Sequence, residues 1–460
     1  MKVMKFGGSS VADASRIRDV IEIIASHHAR ERVCAVFSAM KGVTDQLIDA
    51  AAQASGGVSQ YRLLVDQIRD RYLAAAEILC APDPTDTVAE IKSLGDQLAS
   101  LLRGVELVRE CSGRTLDLVL GFGERMNCTL IAAAMKVRDL PARYVDAREM
   151  IVTDASHGHA IVDQEASAAR IKNVLSGDDL PVVTGFIAAT QDGVSTTLGR
   201  NGSDYTASIV GAGADASAIE IWTDVDGVYS ADPRYVQDAF VLPQISYKEA
   251  MELSYFGAKV IHPSTMVPAV HAETPIWIKN TLNPTAPGTR ITAESSGAKE
   301  ITGLASVEDV ALVNVEGGGM VGLPGVAGRL FSTLAAARIN IIMISQASSE
   351  HSICFIVSER DVERATSALE MEFQHELHYG SLERVNAERG LEIVAVIGER
   401  MRGKAGISGK LFHALGEAQI NVLAIAQGSS EMNISFVVYN REREHALNAV
   451  HSAFFAGGSE

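Results

Sequence analysis

The opening stretch MKVMKFGGSS places one lysine, Lys5, near the end of a short apolar strand, ahead of Gly7, Gly8 and Ser9. Strand, glycine turn and helix start are the outline of a phosphate loop, where backbone N–H groups and a helix N-terminus attract anions. In the common nucleotide loop the lysine follows the glycines, whereas here it precedes them. Three further stretches read as ends of strands: GFGERMN (121–127), LGRNGSDYTA (198–207) and TDVDGVYSADPR (223–234). A fifth, FGAKVIHP (256–263), follows on a helix. In an open parallel sheet, ligands bind where such loops gather, outside the carboxyl ends of the strands. Each stretch alone also has a plain reading. Gly-Gly serves any tight turn, and in GRNGSD the pair Asn201-Gly202 supplies positive φ while Ser203-Asp204 caps a helix. DVDGV lacks the remaining ligands and terminal Glu of a calcium loop, and SHGHA (156–160) has no third ligand for zinc. There is no Gly-x-Ser-x-Gly and no Cys/His catalytic arrangement.

Two apparent nucleotide motifs are settled by an internal repeat. A shift of 81 residues aligns Val310–Ser358 with Leu391–Tyr439 at 21 identities in 49 positions, so the segment is duplicated. GGGMVG (317–322) and GERMRGK (398–404) are then the same loop in two copies. The first lacks an acidic residue for a ribose, and the second has Ala405 where Ser or Thr must reach Mg²⁺. Glycines for a tight turn and close helix packing account for both.

The elements that must position the first group follow from periodicity. KVMKF, VCAVFS (33–38), LDLVLGFG (116–123), PVVTGFIA (181–188) and AIEIWTDV (218–225) read as strands. Thr44-Asp45 reads as the cap of the helix after the second strand, and 60–112 as helical around the turn APDPTD. Repeated βα units with nearly continuous apolar strands imply a mainly parallel sheet between helical layers. The Pro-, Gly-, Ser- and Thr-rich stretch 281–300 reads as a boundary. The expected organisation is a catalytic domain over 1–285, a linker over 286–300, and repeats over 301–390 and 391–460. Each repeat reads as a ferredoxin-like α+β unit.

Composition narrows the class. A length of 460 residues suits about three domains of roughly 150 residues each. A formal charge of -17 argues against nucleic acid and against anionic membrane surfaces. No uncharged apolar stretch nears the roughly 18 residues of a membrane helix. Cys34, Cys80, Cys111, Cys128 and Cys354 form no CxxC pair, and no apolar leader precedes the glycines, so a reduced, cytoplasmic protein is expected.

Taken in order, KFGGSS, SAMKGVTD, GFGERMN, GRNGSDYTA, WTDVDGVYSADPR and ELSYFGAKVIHP, followed by two repeats, resemble an aspartate kinase of the amino-acid kinase family with tandem ACT domains. The resemblance covers essentially the whole chain and is closest to the kinase half of bifunctional aspartate kinase–homoserine dehydrogenases. The resemblance implies γ-phosphoryl transfer from ATP to the side-chain carboxylate of L-aspartate. A carboxylate is already ionised at neutral pH, so no general base is required. The obstacle is bringing this anion against a triphosphate, which calls for placed cations and positioning.

On that resemblance, Lys5 points at the γ-phosphoryl, Gly7, Gly8 and Ser9 bring N–H groups and a helix N-terminus to its oxygens, and Asp204 orients Lys5. Arg200 grips the α-carboxylate, Glu124 meets the ammonium, and Ser38, Thr44 and Ser203 line the same substrate pocket. Thr223, Asp224, Tyr229, Arg234 and Lys259 form the nucleotide side. Mg²⁺ arrives with ATP, held mainly by phosphate oxygens and water, with no protein metal site. ISQASSE and IAQGSSE are similar to the threonine-sensitive branch, which implies L-threonine as effector at Gln346 and Gln427, with Asn340 and Asn421 in the same pockets. A homo-oligomer, at least a dimer through the ACT repeats, is expected because a ferredoxin-like unit exposes a sheet edge. The open alternatives are another kinase of this fold, acting on acetylglutamate, glutamate, carbamate or UMP, and a catalytically inert amino-acid sensor.

Overall fold

The computed structural model describes residues 1–257, 261–295, 299–318, 325–346 and 352–455. The chain divides into two compact units. The first comprises 1–228, 243–247 and 260–295, and the second 229–242, 248–259 and 296–460. Two segments expected inside the catalytic domain therefore belong with the repeats.

In the first unit, β1 (Lys2–Phe6), α1 (Ala14–His28), β2 (Val33–Phe37) and α2 (Val43–Gly56) follow the expected alternation. Then come α3 (Tyr61–Leu79), α4 (Thr85–Val108) and the long α5 (Gly113–Lys136). β3 (Ala142–Val145), β4 (Val152–Thr153) and α6 (Gln164–Val174) lead to β5 (Leu180–Thr184), β6 (Ile187–Thr190) and β7 (Ser195–Thr197). The unit continues through α7 (Gly202–Gly213), β8 (Ala218–Thr223) and β9 (Gln244–Ser246). After α8 (Tyr247–Tyr255), which from residue 248 on belongs to the second unit, the first unit ends with α9 (Pro263–His271), β10 (Ile276–Asn280) and β11 (Thr289–Thr292). Among the described residues, eight strands form one sheet in the order β3-β5-β2-β1-β8-β10-β11-β9. The inner pairs are parallel, and β10–β11 is antiparallel. The chain winds outward from β1 in both directions, so the sheet switches at Lys5's own strand. Alternation along that strand turns Met4 and Phe6 into the core shared with α1 to α5, and turns Lys5 toward α7.

Several expectations change. LDLVLGFG is not a strand but the first half of α5. Its glycines sit in the helix because their neighbours lie too close for a side chain. A Cβ on Gly123 would meet Ala39 Cβ at 2.8 Å, and one on Gly121 would meet Ile187 Cγ2 at 3.3 Å. α5 is also the one helix among the described residues long and apolar enough to cross a membrane, and it is instead buried within its unit. PVVTGFIA breaks at Gly185-Phe186 into β5 of the main sheet and β6 of a three-stranded sheet, β4-β6-β7. The cap of α2 is Gly42, at φ 83, rather than Thr44-Asp45. In GRNGSD, the N-cap of α7 is Asn201 at φ 57, which leaves Ser203 and Asp204 inside the first turn. FGAKVIHP, of which residues 258–260 lie outside the described residues, starts beyond α8 and ends at Pro263, the first residue of α9. A strand, β11, lies within the expected linker and completes the first sheet.

The second unit carries the duplication, with β12 (Gly303–Glu316), α10 (Val326–Ala336), β13 (Met343–Gln346), β14 (Ser352–Ser358), α11 (Val362–Glu372) and α12 (Gln374–Tyr379). The second copy is β15 (Arg384–Ile397), α13 (Ile407–Glu417), β16 (Ala424–Gln427), β17 (Asn433–Tyr439) and α14 (Arg443–Phe455). All six strands share one antiparallel sheet, β13-β14-β12-β15-β17-β16. β12 and β15 are each 14 residues long and pair along both halves, with register shifts near Val307–Leu312. Each copy thus takes its fourth strand from the other copy's first: residues 384–391 complete the first, and 303–307 complete the second. The paired glycines of the two decoy loops follow from this exchange. A Cβ on Gly317 would lie 2.6 Å from Leu382 Cα, and one on Gly398 2.8 Å from Ile301 Cα, each at the entry of the borrowed strand. Residues 319–322 of GGGMVG lie outside the described residues.

Gly123→Ala is expected to destabilise the protein by about 1–3 kcal/mol, because the methyl collides with Ala39 and Val43 in a packed core. Urea unfolding of both proteins measures this, and an unchanged midpoint would show that the contact yields.

Candidate active site

The loops after β1, β2, β8 and β10 meet at the carboxyl edge of the sheet. Ser38 N donates to Phe6 O at 3.2 Å, and Lys41 N to Gly8 O at 3.2 Å. Ser10 Oγ lies 2.8 Å from Thr281 Oγ1, and Thr281 N donates to Thr223 O at 2.8 Å. Lys5 rises into this edge and is only 8% exposed. Its Nζ lies 2.5 Å from Asp204 Oδ1, in the first turn of α7. The missing side chain of Gly7 leaves room beside that ammonium, since a Cβ there would stand 3.4 Å from Nζ. A Cβ on Gly8 would meet Ala39 O at 2.9 Å, so this glycine lets the first two loops close on each other.

The helix start expected directly after Gly7-Gly8-Ser9 is elsewhere. α1 begins at Ala14 behind its Asp13 cap, so the three residues form a turn, with Ser10 N donating to Gly7 O at 2.9 Å. The helix N-termini that reach this edge are those of α2, against Gly8, and α7, which carries Asp204. Both orient partial positive charge toward anions.

Glu124 is 2% exposed, and its Oε1 accepts from Ala39 N at 3.1 Å, while Oε2 is buried with no hydrogen-bond partner. Burial pushes its carboxyl up to about 7. A buried carboxyl with one oxygen unmatched is suited to receive a cationic group, which would restore its charge. Ser38 is half-buried and its carbonyl accepts from Asn127 Nδ2 at 2.6 Å, while Thr44 is half-buried in the first turn of α2. Ser203 is buried against Gly185, where a Cβ would meet Ser203 Oγ at 2.6 Å. Arg200 is exposed, with no hydrogen bond or ion pair to other described residues. Thr223 ends β8 and donates through Oγ1 to Oδ1 of the following Asp224 at 3.2 Å.

Other expected residues are not brought to this edge within the first unit. Tyr229 and Arg234 belong to the second unit. There the Arg234 guanidinium is held by Asp232, with Nη2 at 2.6 Å from Oδ2, and lies 3.5 Å from Glu308. Lys259 lies outside the described residues. Gln346 and Gln427 are exposed at the ends of β13 and β16, whose strands meet where Ser345 Oγ donates to Ile425 O at 3.2 Å. Asn340 and Asn421 are exposed beyond the opposite ends of the same strands. β13 covers Met343–Gln346 and β16 Ala424–Gln427, so each asparagine lies three residues ahead of its strand.

Sequence reasoning missed Asn127, Tyr72 and Phe186. Tyr72 ties Met40 N (3.2 Å) to Gly123 O (3.0 Å). Asn127 follows Glu124 by one helical turn and was within the quoted motif. Phe186 holds φ 70, a strained value for a bulky residue, with its N–H given to Thr206 Oγ1 at 2.9 Å. Nothing in sequence marks that conformation except the preceding glycine. Among the described residues no cluster of three or more His, Cys, Asp or Glu could hold a metal.

A family model described as the amino acid kinase family matches residues 1–280, and one described as ACT domain matches 313–373 and 394–454. The bifunctional aspartokinase/homoserine dehydrogenase of Daucus carota is 39% identical over 98% of this chain and 50% of that protein. Aspartokinase 1 of Arabidopsis thaliana is 34% identical over 99% of this chain and 80% of that protein. The chain spans about half the length of the bifunctional relatives it matches. Among solved structures, E. coli aspartokinase III in complex with aspartate and ADP superposes with a TM-score of 0.80 at 30% identity, over 99% of this chain and 100% of that one. The same enzyme in complex with lysine and aspartate gives a TM-score of 0.83.

The Glu124 carboxyl gives a pH test. Between its ordinary 4.5 and about 7 the folded protein binds more protons at this site than the unfolded chain. Stability from this group is thus full below 4.5 and falls as pH rises to about 7, by at most about 1.4 kcal/mol per unit. Glu124→Gln removes that slope. Denaturant titrations from pH 4.5 to 8 compare the two proteins, and parallel curves would mean that the carboxyl is already ionised in the empty fold.

Proposed function

The chain belongs to the aspartokinases of the amino acid kinase family, and from that premise we propose that it transfers the γ-phosphoryl group of ATP to the side-chain carboxylate of L-aspartate. The product is 4-phospho-L-aspartate. A carboxylate oxygen forms the new P–O bond while the bond to the ADP oxygen breaks and ADP leaves with the electron pair. The observation that carries the reading is the buried Lys5–Asp204 pair, 2.5 Å apart at the switch point of the sheet. Charge in such a reaction spreads over the transferring oxygens, and a cation held in advance stabilises it without reorganising. Asp204 keeps the ammonium at the mouth of the Gly7 turn. Glu124, with its unmatched oxygen, takes the substrate ammonium, and Arg200, free of partners among the described residues, takes the α-carboxylate bidentately. Ser38, Thr44 and Ser203 line the pocket between them.

Thr223 and Asp224 border the nucleotide, with Tyr229, Arg234 and Lys259 as its further partners. Arg234 exchanges Asp232 for phosphate in this reading. Mg²⁺ would supply charge neutralisation on the phosphates, carried by ATP oxygens and water, since the one acid beside Lys5 is already engaged by it. The repeats sense an amino acid at Gln346 and Gln427 and join two chains through their exposed edge strands, where Ile344 and Ile425 are 47% and 45% exposed. The SSE turns and the glutamines favour L-threonine.

Lys5→Ala should lower kcat by on the order of 100-fold or more with little change in KM for ATP, read as aspartate-dependent ADP release. Aspartate-independent release in the wild type would leave the inert-sensor reading standing. In the same assay L-threonine should inhibit at lower concentration than L-lysine, and Gln346→Ala and Gln427→Ala should each weaken that inhibition. Stronger inhibition by lysine would reverse the effector assignment.

A further inference from the structure

Asp117 is a buried carboxylate that the proposed reaction does not use. It is 2% exposed, yet it is matched on every side. Its oxygens accept from His157 Nδ1 at 2.7 Å, from Gly158 N at 3.1 Å to each oxygen, and from Thr197 Oγ1 at 2.5 Å. Burying such a group is costly unless it is matched in this way, so these donors are committed to it. They come from two separate segments, the loop 156–160 and the end of β7.

That loop lies directly on the segment that carries Arg200. Ala160 N donates to Thr197 O at 3.0 Å. A Cβ on Gly199 would meet Gly158 O at 3.1 Å and His159 Cβ at 3.6 Å, and Gly199 itself holds φ +77. Two positive-φ residues, Gly199 and Asn201, therefore flank Arg200. The segment is tied at one end by Thr197 to Asp117 and at the other by Asp204 to Lys5. Leu198 N also donates to Phe186 O at 2.9 Å, and Arg200 itself makes no anchoring contact with described residues, so its place depends on how the flanking backbone is held.

Asp117 and Glu124 stand seven residues apart on α5, two turns along one helix face and about 10 Å in rise. One rigid face thus sets the distance between a carboxyl that can take an ammonium and the segment whose guanidinium can take a carboxylate. We propose that Asp117 is a positioning residue that holds Thr197–Asp204, and through it Arg200, at the spacing an α-amino acid requires. The inference rests on the aspartate reading for its substrate, but its structural part can be measured without it.

The test uses Asp117→Ala, Asp117→Asn and His157→Ala in the full chain. Asp117→Ala is expected to raise KM for aspartate on the order of 10- to 100-fold, as a roughly 1 Å misplacement would, while KM for MgATP stays within about twofold. Asp117→Asn keeps an oxygen for Thr197 and Gly158 and should recover most of the loss. Should Asp117→Ala fail to fold, His157→Ala, which removes one donor from a half-buried ring, must show a smaller shift in the same direction. Hydrogen exchange supplies the second readout: amides of 198–205 should exchange faster in the variants, with β1 and β2 unchanged. Equal rises in both KM values, a loss confined to kcat, or unchanged exchange over 198–205 would overturn the proposal. Faster exchange at 198–205 in a protein that never phosphorylates aspartate would uphold the positioning role and reject the substrate.

Discussion

The ion pair between Lys5 and Asp204 is the constraint around which the first unit is arranged. Both side chains are mostly withdrawn from water, at 10% and 14% exposed. Losing either partner of such a pair leaves an unmatched charge, a penalty of about 3–5 kcal/mol. The pair requires β1 to turn Lys5 away from the helical core and α7 to begin opposite it. The start of α7 in turn needs Asn201 in the left-handed region and Gly185 bare against Ser203. The dipole of α7 favours the carboxylate of Asp204, so the helix and the lysine stabilise the same charge.

The second organising element is α5. It fills the centre of the unit with apolar residues and yet carries two buried acids, Asp117 and Glu124, on one face. One is matched by four donor contacts and the other is left with an open oxygen. Gly121 and Gly123 let this face approach β6 and the loop after β2 closely. The two acids on this face thus differ in how far their oxygens are matched, which is a difference of surroundings and not of residue type.

In the repeats, duplication is resolved by exchange. Neither copy closes its own sheet, because the borrowed halves of β12 and β15 finish the other. The two copies are consequently bound by a continuous ladder of backbone hydrogen bonds, and the edges that remain are β13 and β16, the strands that end in Gln346 and Gln427. The two edge strands also touch directly, with Ser345 Oγ donating to Ile425 O at 3.2 Å.

The sequence by itself determined the duplication and the parallel strands KVMKF, VCAVF and AIEIWT, because these depend on residue type and local period, while Lys5, Asp204, Glu124 and Arg200 entered as candidate groups through the resemblance of their motifs. It misread LDLVLGFG, since an apolar run with glycines has no period that separates a strand from a buried helix. It also expected a helix start directly after Gly7-Gly8-Ser9, whereas α1 begins at Ala14, and its boundary between the repeats at 390/391 falls inside β15. Only the tertiary structure decided that LDLVLGFG is helix, so that Asp117 and Glu124 share a face, that Asp204 meets Lys5, and that His157 and Thr197 meet Asp117. The ion pair and the contacts on Asp117 join residues remote in sequence. Hydrophobic period and turn chemistry act over a few residues, whereas such contacts are set by which surfaces pack, and by where a missing Cβ allows two backbones to meet.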